Sequence, residues 1–342
     1  MKTTNLKTSR MKEVFVELNE KFGGELTVSP KEYTLEFDSI LGSGRINGMV
    51  FDGGISHIEF DVRFNEALSF ALTNANTSTL YFAYCNQGSL GHSFGTTGKK
   101  RVVQKFQTGI ATCRGKEQNT LYFEEQEYHK VSLIVVQPDV APNLQKSKLI
   151  EELKQTFFTA KEKENFIYIG SHNLKIASKI EELNAIDQQG VARKLMHEGI
   201  VHVILAMEVQ QHADDAANST QQNFGGLTLK EMEQVKELSK FIEAYPEEQF
   251  TLKSLSRRSG LSGSKLQIGF KLLHNRTVRD FITHKRVVKS EQLIRTTDLN
   301  ISEIVYSIGF MSRSYFSKIF KQKYKCSPKT YKDQHNSLAV TA

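Results

Sequence analysis

The feature that most constrains this chain of 342 residues is an internal repeat. Residues 260–271, GLSGSKLQIGFK, align with residues 309–321, GFMSRSYFSKIFK, once the second copy is given one extra residue after its Phe. Gly260 then matches Gly309, Leu261 matches Phe310, Ser262 matches Ser312, Leu266 matches Phe316, Phe270 matches Phe320 and Lys271 matches Lys321. A short amphipathic segment precedes each copy, TLKSLSRRS before the first and ISEIVYSI before the second. The predicted unit is a pair of helices broken at a glycine, which lacks Cβ and so permits the left-handed backbone that ends the first helix. The next apolar residue plugs the angle between the helices, and the serine caps the second.

Spacing then decides which side chains point outward. Leu266 and Phe270, and Phe316 and Phe320, stand four apart and face inward. Ser264, Lys265, Gln267, Ile268 and Lys271 are left outward in the first copy, and Arg313, Ser314, Ser317, Lys318 and Lys321 in the second. Ile268 suits a core equally well, and Gly269 is a poor helix former. Hydroxyls, an amide, a guanidinium and ammonium groups are what a helix needs to reach base edges and phosphates. Between the copies, residues 277–297 place Phe281, Ile282, Val288, Leu293 and Ile294 as one long helix would. A rigid rod there would set two such helices into successive major-groove faces about one turn of DNA apart.

Charge points the same way. Residues 226–342 hold 21 Lys and Arg against 11 Asp and Glu, a balance of +10, while the first 225 residues hold 24 against 27, or −3. A basic domain on a slightly acidic body implies a polyanion partner for that domain alone. One glycine-broken helix pair is weak evidence, because α-hairpins are common. Two, joined by a helix and confined to the basic third, are strong.

Residues from about 230 to 334 resemble the DNA-binding domain of the AraC/XylS family of bacterial transcription regulators, most specifically in ISEIVYSIGFMSRSYFSKIFKQKYKCSPKTYK. Arg286, Ser290, Leu293 and Ile294 stand where that family's linker helix has R, A, L and L or I. Asn275 and Lys325 depart from it, since glycine is usual after each recognition helix. The resemblance implies base-edge contacts from Ser264, Gln267, Ile268, Arg313, Ser314, Ser317 and Lys318. It leaves Ser262, Lys265, Lys271, Ser312 and Lys321 for phosphates. It also implies a homodimer, RNA polymerase as a further partner, and a small-molecule effector.

The rest of the chain fits that layout. Residues 25–138 are short runs rich in Val, Ile, Phe, Tyr and Thr broken by Gly, Asn, Asp and Ser, the pattern of a sandwich or barrel. The glycines of LGSGRING, 41–48, read as hairpin turns rather than a phosphate-binding loop. Helical periodicity takes over from about 146 to 211, where Val191, Leu195, Ile200, Val203, Ile204 and Met207 form a stripe suited either to a dimer or to packing on the barrel. Residues 212–226, HADDAANSTQQNFGG, read as a linker, and Thr228 with Glu231 as a capping box opening the next helix. The expected fold is therefore α+β and multidomain: a cupin-like β-rich sensor over 1–145, a helical dimerisation segment over 146–211, a linker, and an all-α double helix-turn-helix over 227–335. LYFAYCNQGSLGHSF, 80–94, and EYHKVSLIVV, 127–136, resemble sensors of siderophore-type regulators in the family.

The competing class is a metal- or thiol-dependent enzyme built on the barrel. His57, His92 and His129 lack the H-x-H pair of cupin metal sites, so no metal and no cofactor is expected. Cys113 beside Arg114 could be an activated thiolate, but a bland strand cysteine is the simpler reading. Cys85, Cys113 and Cys326 form no C-x-x-C pair. No run approaches the ~18 apolar residues of a membrane span, and the N-terminus has no apolar signal core. A cytoplasmic, non-enzymatic protein is expected.

Overall fold

A computed structural model describes residues 2–6, 10–72, 79–95, 98–113, 118–137, 148–158, 165–217 and 227–339. The chain divides into two compact units, Met1–Gln222 and Asn223–Ala342.

The first unit opens with β1 (Lys2–Leu6) and the helix α1 (Met11–Phe22), neither of which the expected start of β structure near residue 25 had included. Eleven strands follow: β2 (Gly24–Ser29), β3 (Glu32–Ser39), β4 (Gly42–Val50), β5 (Ile55–Phe64), β6 (Leu68–Leu72), β7 (Thr79–Gln87), β8 (Leu90–Phe94), β9 (Arg101–Val103), β10 (Gln107–Cys113), β11 (Asn119–Phe123) and β12 (Tyr128–Val136). They form two hydrogen-bonded sheets, one of order β1-β6-β11-β8-β9 and a larger one that includes β10-β7-β12-β5-β4-β3-β2. Strand alternation builds the core between them. In β3, Leu35 and Phe37 are buried while Glu36 and Asp38 are exposed. Phe60 and Phe64 of β5 meet Phe70 and Phe123 of the smaller sheet with ring centroids 5.2–6.3 Å apart. Phe22 of α1 stacks on Phe37 at 4.5 Å.

LGSGRING is not a set of turns. Gly42 to Gly48 lie inside β4, where Gly44 has φ +146° and a Cβ there would come 2.3 Å from the Asp61 carbonyl oxygen, while one at Gly48 would strike the Phe15 ring at 2.5 Å. These glycines let neighbouring backbone and α1 approach closely.

The opposite face of the larger sheet is covered by α2 (Lys148–Phe157), α3 (Leu174–Asn184) and α4 (Gly190–Ala217). The expected all-helical segment 146–211 also contains a strand, β13 (Phe166–His172), which extends the larger sheet by pairing with β10. Its alternating FIYIGSH has the period of a strand. The helix α4 runs six residues into the expected linker. Its last turns are fastened by Asp215, whose Oδ2 accepts from the Ser171 backbone N–H and Oδ1 from the Ser171 hydroxyl, each at 2.8 Å. Residues 218–226 of the expected linker lie outside the described residues.

The helix α4 has two unlike faces. Val201, Ile204, Leu205, Glu208 and Gln211 are buried. Val191 and Leu195 are 74% and 65% exposed. The buried face is partly polar: the Arg193 guanidinium donates to Glu32 at 2.8 Å, and His197 Nε2 lies 3.2 Å from His57 Nδ1. His57 Nε2 in turn lies 2.9 Å from the Ser132 hydroxyl. Burial, then His197, pushes His57 down to about 3; burial, then Arg193, pushes His197 down to about 4, so the pair stays neutral near pH 7. Glu208 is buried with neither carboxyl oxygen hydrogen bonded to another described residue, and burial pushes its pKa well above the ordinary carboxylate range.

The second unit is all helical: α5 (Leu229–Ala244), α6 (Leu252–Ser259), α7 (Gly263–His274), α8 (Val278–Thr296), α9 (Ile301–Ser307), α10 (Arg313–Tyr324) and α11 (Pro328–Ala339). The Thr228–Glu231 capping box opens α5. Within α8 the core position expected of Val288 is taken by Val287, buried with Ile294 seven residues on, while Val288 is 39% exposed.

Glu208→Gln tests the buried carboxyl. An acid whose pKa is higher folded than unfolded binds more protons when folded, so stability falls as pH rises from its unfolded pKa, about 4.3, through the folded value. The glutamine variant lacks that loss. Its melting temperature, measured by calorimetry on the full chain, should exceed that of the wild type by a margin that widens between about pH 5 and 8. A margin independent of pH would show that Glu208 does not titrate as described.

Candidate nucleic-acid interface

The two helix pairs are α6/α7 and α9/α10. Gly260 ends α6 with φ +72° and Gly309 follows α9 with φ +80°. Leu261 and Phe310 are buried at the two angles. The Ser262 hydroxyl accepts from Lys265 N–H, and that of Ser312 from Tyr315 N–H, both at 3.3 Å. Asn275 and Lys325 close α7 and α10 in left-handed conformation, φ +53° and +64°, their N–H groups bonded 2.9 Å to Lys271 and Lys321 carbonyls. The turn therefore forms without glycine at either position. Gly269 packs against α5, where a Cβ would lie 2.5 Å from Val235 Cγ2.

One side chain ties both pairs together. From α8, Arg286 donates through Nε to the Pro246 carbonyl at 2.7 Å, through Nη2 to that of Glu248 at 2.7 Å, and through Nη1 to that of Gly309 at 2.8 Å. Gln249 Nε2 adds a 3.3 Å bond to the same Gly309 oxygen. Burial lowers the Arg286 pKa, and Glu247 opposes the shift. Gly309 is required twice, by its φ and because a Cβ would lie 2.9 Å from Arg286 Nη2.

The expected contact residues divide into free and engaged. Ser264, Ser314, Lys318, Lys271 and Lys321 are exposed, and Ser317 is half-buried. Ile268 is 37% exposed, in keeping with its outward reading rather than a core one. Gln267 Oε1 accepts from Val278 N–H at 3.2 Å, so it also fastens α8 to α7. Arg313 Nη1 donates to the Ser302 hydroxyl at 2.9 Å, and Lys265 is ion-paired with Glu231 of α5. Either cation must exchange an internal partner to reach DNA.

Three features were not found from the sequence. A cavity of about 420 Å³ between the pairs is lined by Leu252, Gln267, Arg279, Thr283, Ser312 and Tyr315 among others. Met311 beside it is 86% exposed. On α8, His284 is pushed down to about 4 by burial first and then by Lys323, Arg276 and Lys285, a cluster of like charge. Only the charge excess of this region signalled these features, because they arise where separate elements converge.

In the first unit, a small cavity of about 50 Å³ inside the core is lined by Leu6, Met11, Phe60, Phe70, Leu121 and Leu133, with Ser56 and Gln137 as polar neighbours. The histidines do not converge. His57 bonds Ser132, His92 Nε2 lies 2.9 Å from Asn119 Oδ1, and His129 lies between the carbonyls of Ser89 and Glu124 at 2.9 and 3.0 Å. Among the described residues no group of three or more His, Cys, Asp and Glu could hold a metal. Arg114, the neighbour invoked for Cys113, lies outside the described residues.

A family described as a helix-turn-helix domain matches residues 255–334. Among curated proteins, the HTH-type transcriptional regulator AlkR of Acinetobacter baylyi is 34% identical over 93 residues, 27% of this chain and 30% of that one. Regulatory protein SoxS of Escherichia coli is 24% identical over 98 residues, 29% of this chain and 92% of that one. Among solved structures, the DNA-binding domain of AdpA in complex with a target DNA is 20% identical, with TM-score 0.31, covering 32% of this chain and 98% of that one. This chain spans about a third or less of the length of the first curated relatives it matches.

Arg286→Lys keeps the charge but cannot reach three carbonyls in a fixed fork. The full chain should lose roughly 2–4 kcal/mol in the transition of its helical unit, measured by guanidinium denaturation followed by circular dichroism. A loss under about 0.5 kcal/mol, the range of ordinary surface changes, would contradict the three-carbonyl account.

Proposed function

We propose that this chain is a sequence-specific DNA-binding transcriptional regulator, proceeding from the premise that residues 255–334 are a helix-turn-helix domain of the AraC type. The observation that carries the reading is the pair of serine-capped helices α7 and α10, mounted on one rod and tied by Arg286. The rod α8 has 19 residues. At ~1.5 Å per residue it spans about 28 Å, so the rod and the turns at its two ends together reach the ~34–36 Å scale of one DNA turn.

In this reading Ser264, Gln267 and Ile268 of α7, with Arg313, Ser314, Ser317 and Lys318 of α10, face base edges. Ser262, Lys265, Lys271, Ser312 and Lys321 hold phosphates. The first unit is the part that would hold a small-molecule effector. The exposed Val191, Leu195, Met196 and Val203 of α4 supply the face of a homodimer. RNA polymerase is the partner such a regulator would meet at a promoter. The enzymatic alternative gains no support from Cys85, whose thiol burial pushes up to about 12.

Arg313→Ala should relax preference at one base position and cost ~1–3 kcal/mol there, whereas Lys321→Ala should weaken all duplexes alike. Gel-shift titration of each full-length variant against a selected and a scrambled duplex separates the two. An equal loss on both duplexes for Arg313→Ala would remove it from the base-reading set.

Leu195→Glu places a charge on the exposed face of α4. Sedimentation of the full chain should then show a shift from dimer to monomer at micromolar concentration, and an unchanged dimer would exclude this face as the interface.

A further inference from the structure

Arg279 stands in the first turn of α8, outside both copies of the repeat. Spacing puts Arg279, Thr283 and Arg286 on one face of α8, and all three line the 420 Å³ cavity whose other walls include Gln267 of α7 and Ser312 and Tyr315 of α10. That volume is over ten times the ~30 Å³ share of one water. Arg286 gives three of its five N–H donors to carbonyls. Arg279 is exposed and has no hydrogen-bond or ion-pair partner among the described residues. Its neighbour Asp280 accepts from the Thr277 hydroxyl at 2.6 Å and belongs to the cap of α8.

Resting on the DNA-binding reading, we propose that this cleft receives the backbone of the DNA strand crossing between the two recognition helices, with Arg279 as its phosphate clamp and the Thr283 hydroxyl as a second donor. Two helices in successive major-groove segments on one face of a duplex straddle the minor groove between them. The phosphates bordering that groove must pass across the cleft. Part of its lining is apolar, with Phe250, Leu252, Val278 and Ile282 beside the polar groups. A phosphate closing over such a lining meets the guanidinium at reduced dielectric, where the pairing is stronger than on open surface. The cleft thus supplies shape, charge and position for one occupant, a phosphodiester.

The test uses the full chain and a duplex recovered by the wild type from a random library. Arg279→Ala should weaken binding roughly tenfold, equally on the recovered and a scrambled duplex, and lower the slope of log affinity against log salt by about 0.9. Arg279→Lys should keep the slope and part of the affinity, and Lys12→Ala, an exposed control on α1 of the first unit, should change neither. Neutral methylphosphonates placed at the centre of the recovered duplex, between the segments read by α7 and α10, should weaken the wild type but add nothing to Arg279→Ala. An unchanged salt slope in Arg279→Ala, or a methylphosphonate effect as large in that variant as in the wild type, would overturn the clamp while leaving the regulator reading intact. Failure of the wild type to recover any duplex would overturn both.

Discussion

The second unit depends on where one guanidinium is anchored. Arg286 sits on the rod between the two helix pairs and donates to carbonyls that lie outside any helix, two after α5 and one at the turn after α9. Without it the part-buried Pro246 oxygen would lose this donor, at a cost of about 1–3 kcal/mol, and the Gly309 oxygen would keep only the longer bond from Gln249. Satisfying all three from one planar fork fixes the turn of the second pair against the segment leading into the first. The guanidinium also lies 5.7 Å from the Phe310 ring, so the residue plugging the second angle packs against the same anchor. Gly309 is fitted to the same place: a Cβ there would come 2.4 Å from the Glu247 carbonyl oxygen and 2.9 Å from Arg286 Nη2.

Much of this was legible in the sequence, for identifiable reasons. The repeat carries its own punctuation in glycine, apolar plug and serine cap, and each is a local requirement that survives into the structure. What was misread depended on nonlocal contacts. Gly269 reads as a helix weakness until α5 is seen to press on it. Val288 and Val287 are equally apolar, and only the approach of α9 and α10 decides which is buried. Lys265 reads as a free cation because Glu231 lies 34 residues away in sequence. Arg279 carries no motif at all, and its position matters only once two distant helices form the walls around it.

The first unit shows the same division. Strand alternation marks the β-rich region, but β13 is hidden within a helical pattern because it is short and flanked by helices. The LGSGRING glycines were read as turns because glycine permits both a turn and a close strand crossing, and the crossing partner Phe15 is distant in sequence. The stripe on α4 splits into a buried face that includes Glu208 and Gln211, with His197 half-buried beside it, and an exposed apolar one. Arg193, His197 and Gln211, each hydrogen bonded to a specific partner, hold the helix to one register more narrowly than apolar packing would.

Selection of duplexes from a random library by the full chain, followed by sequencing, tests the central claim most directly. Two recognition helices on one rod predict two short conserved blocks whose centres lie about 10–10.5 base pairs apart, one helical turn. A single conserved block, or enrichment with no sequence preference, would contradict the account.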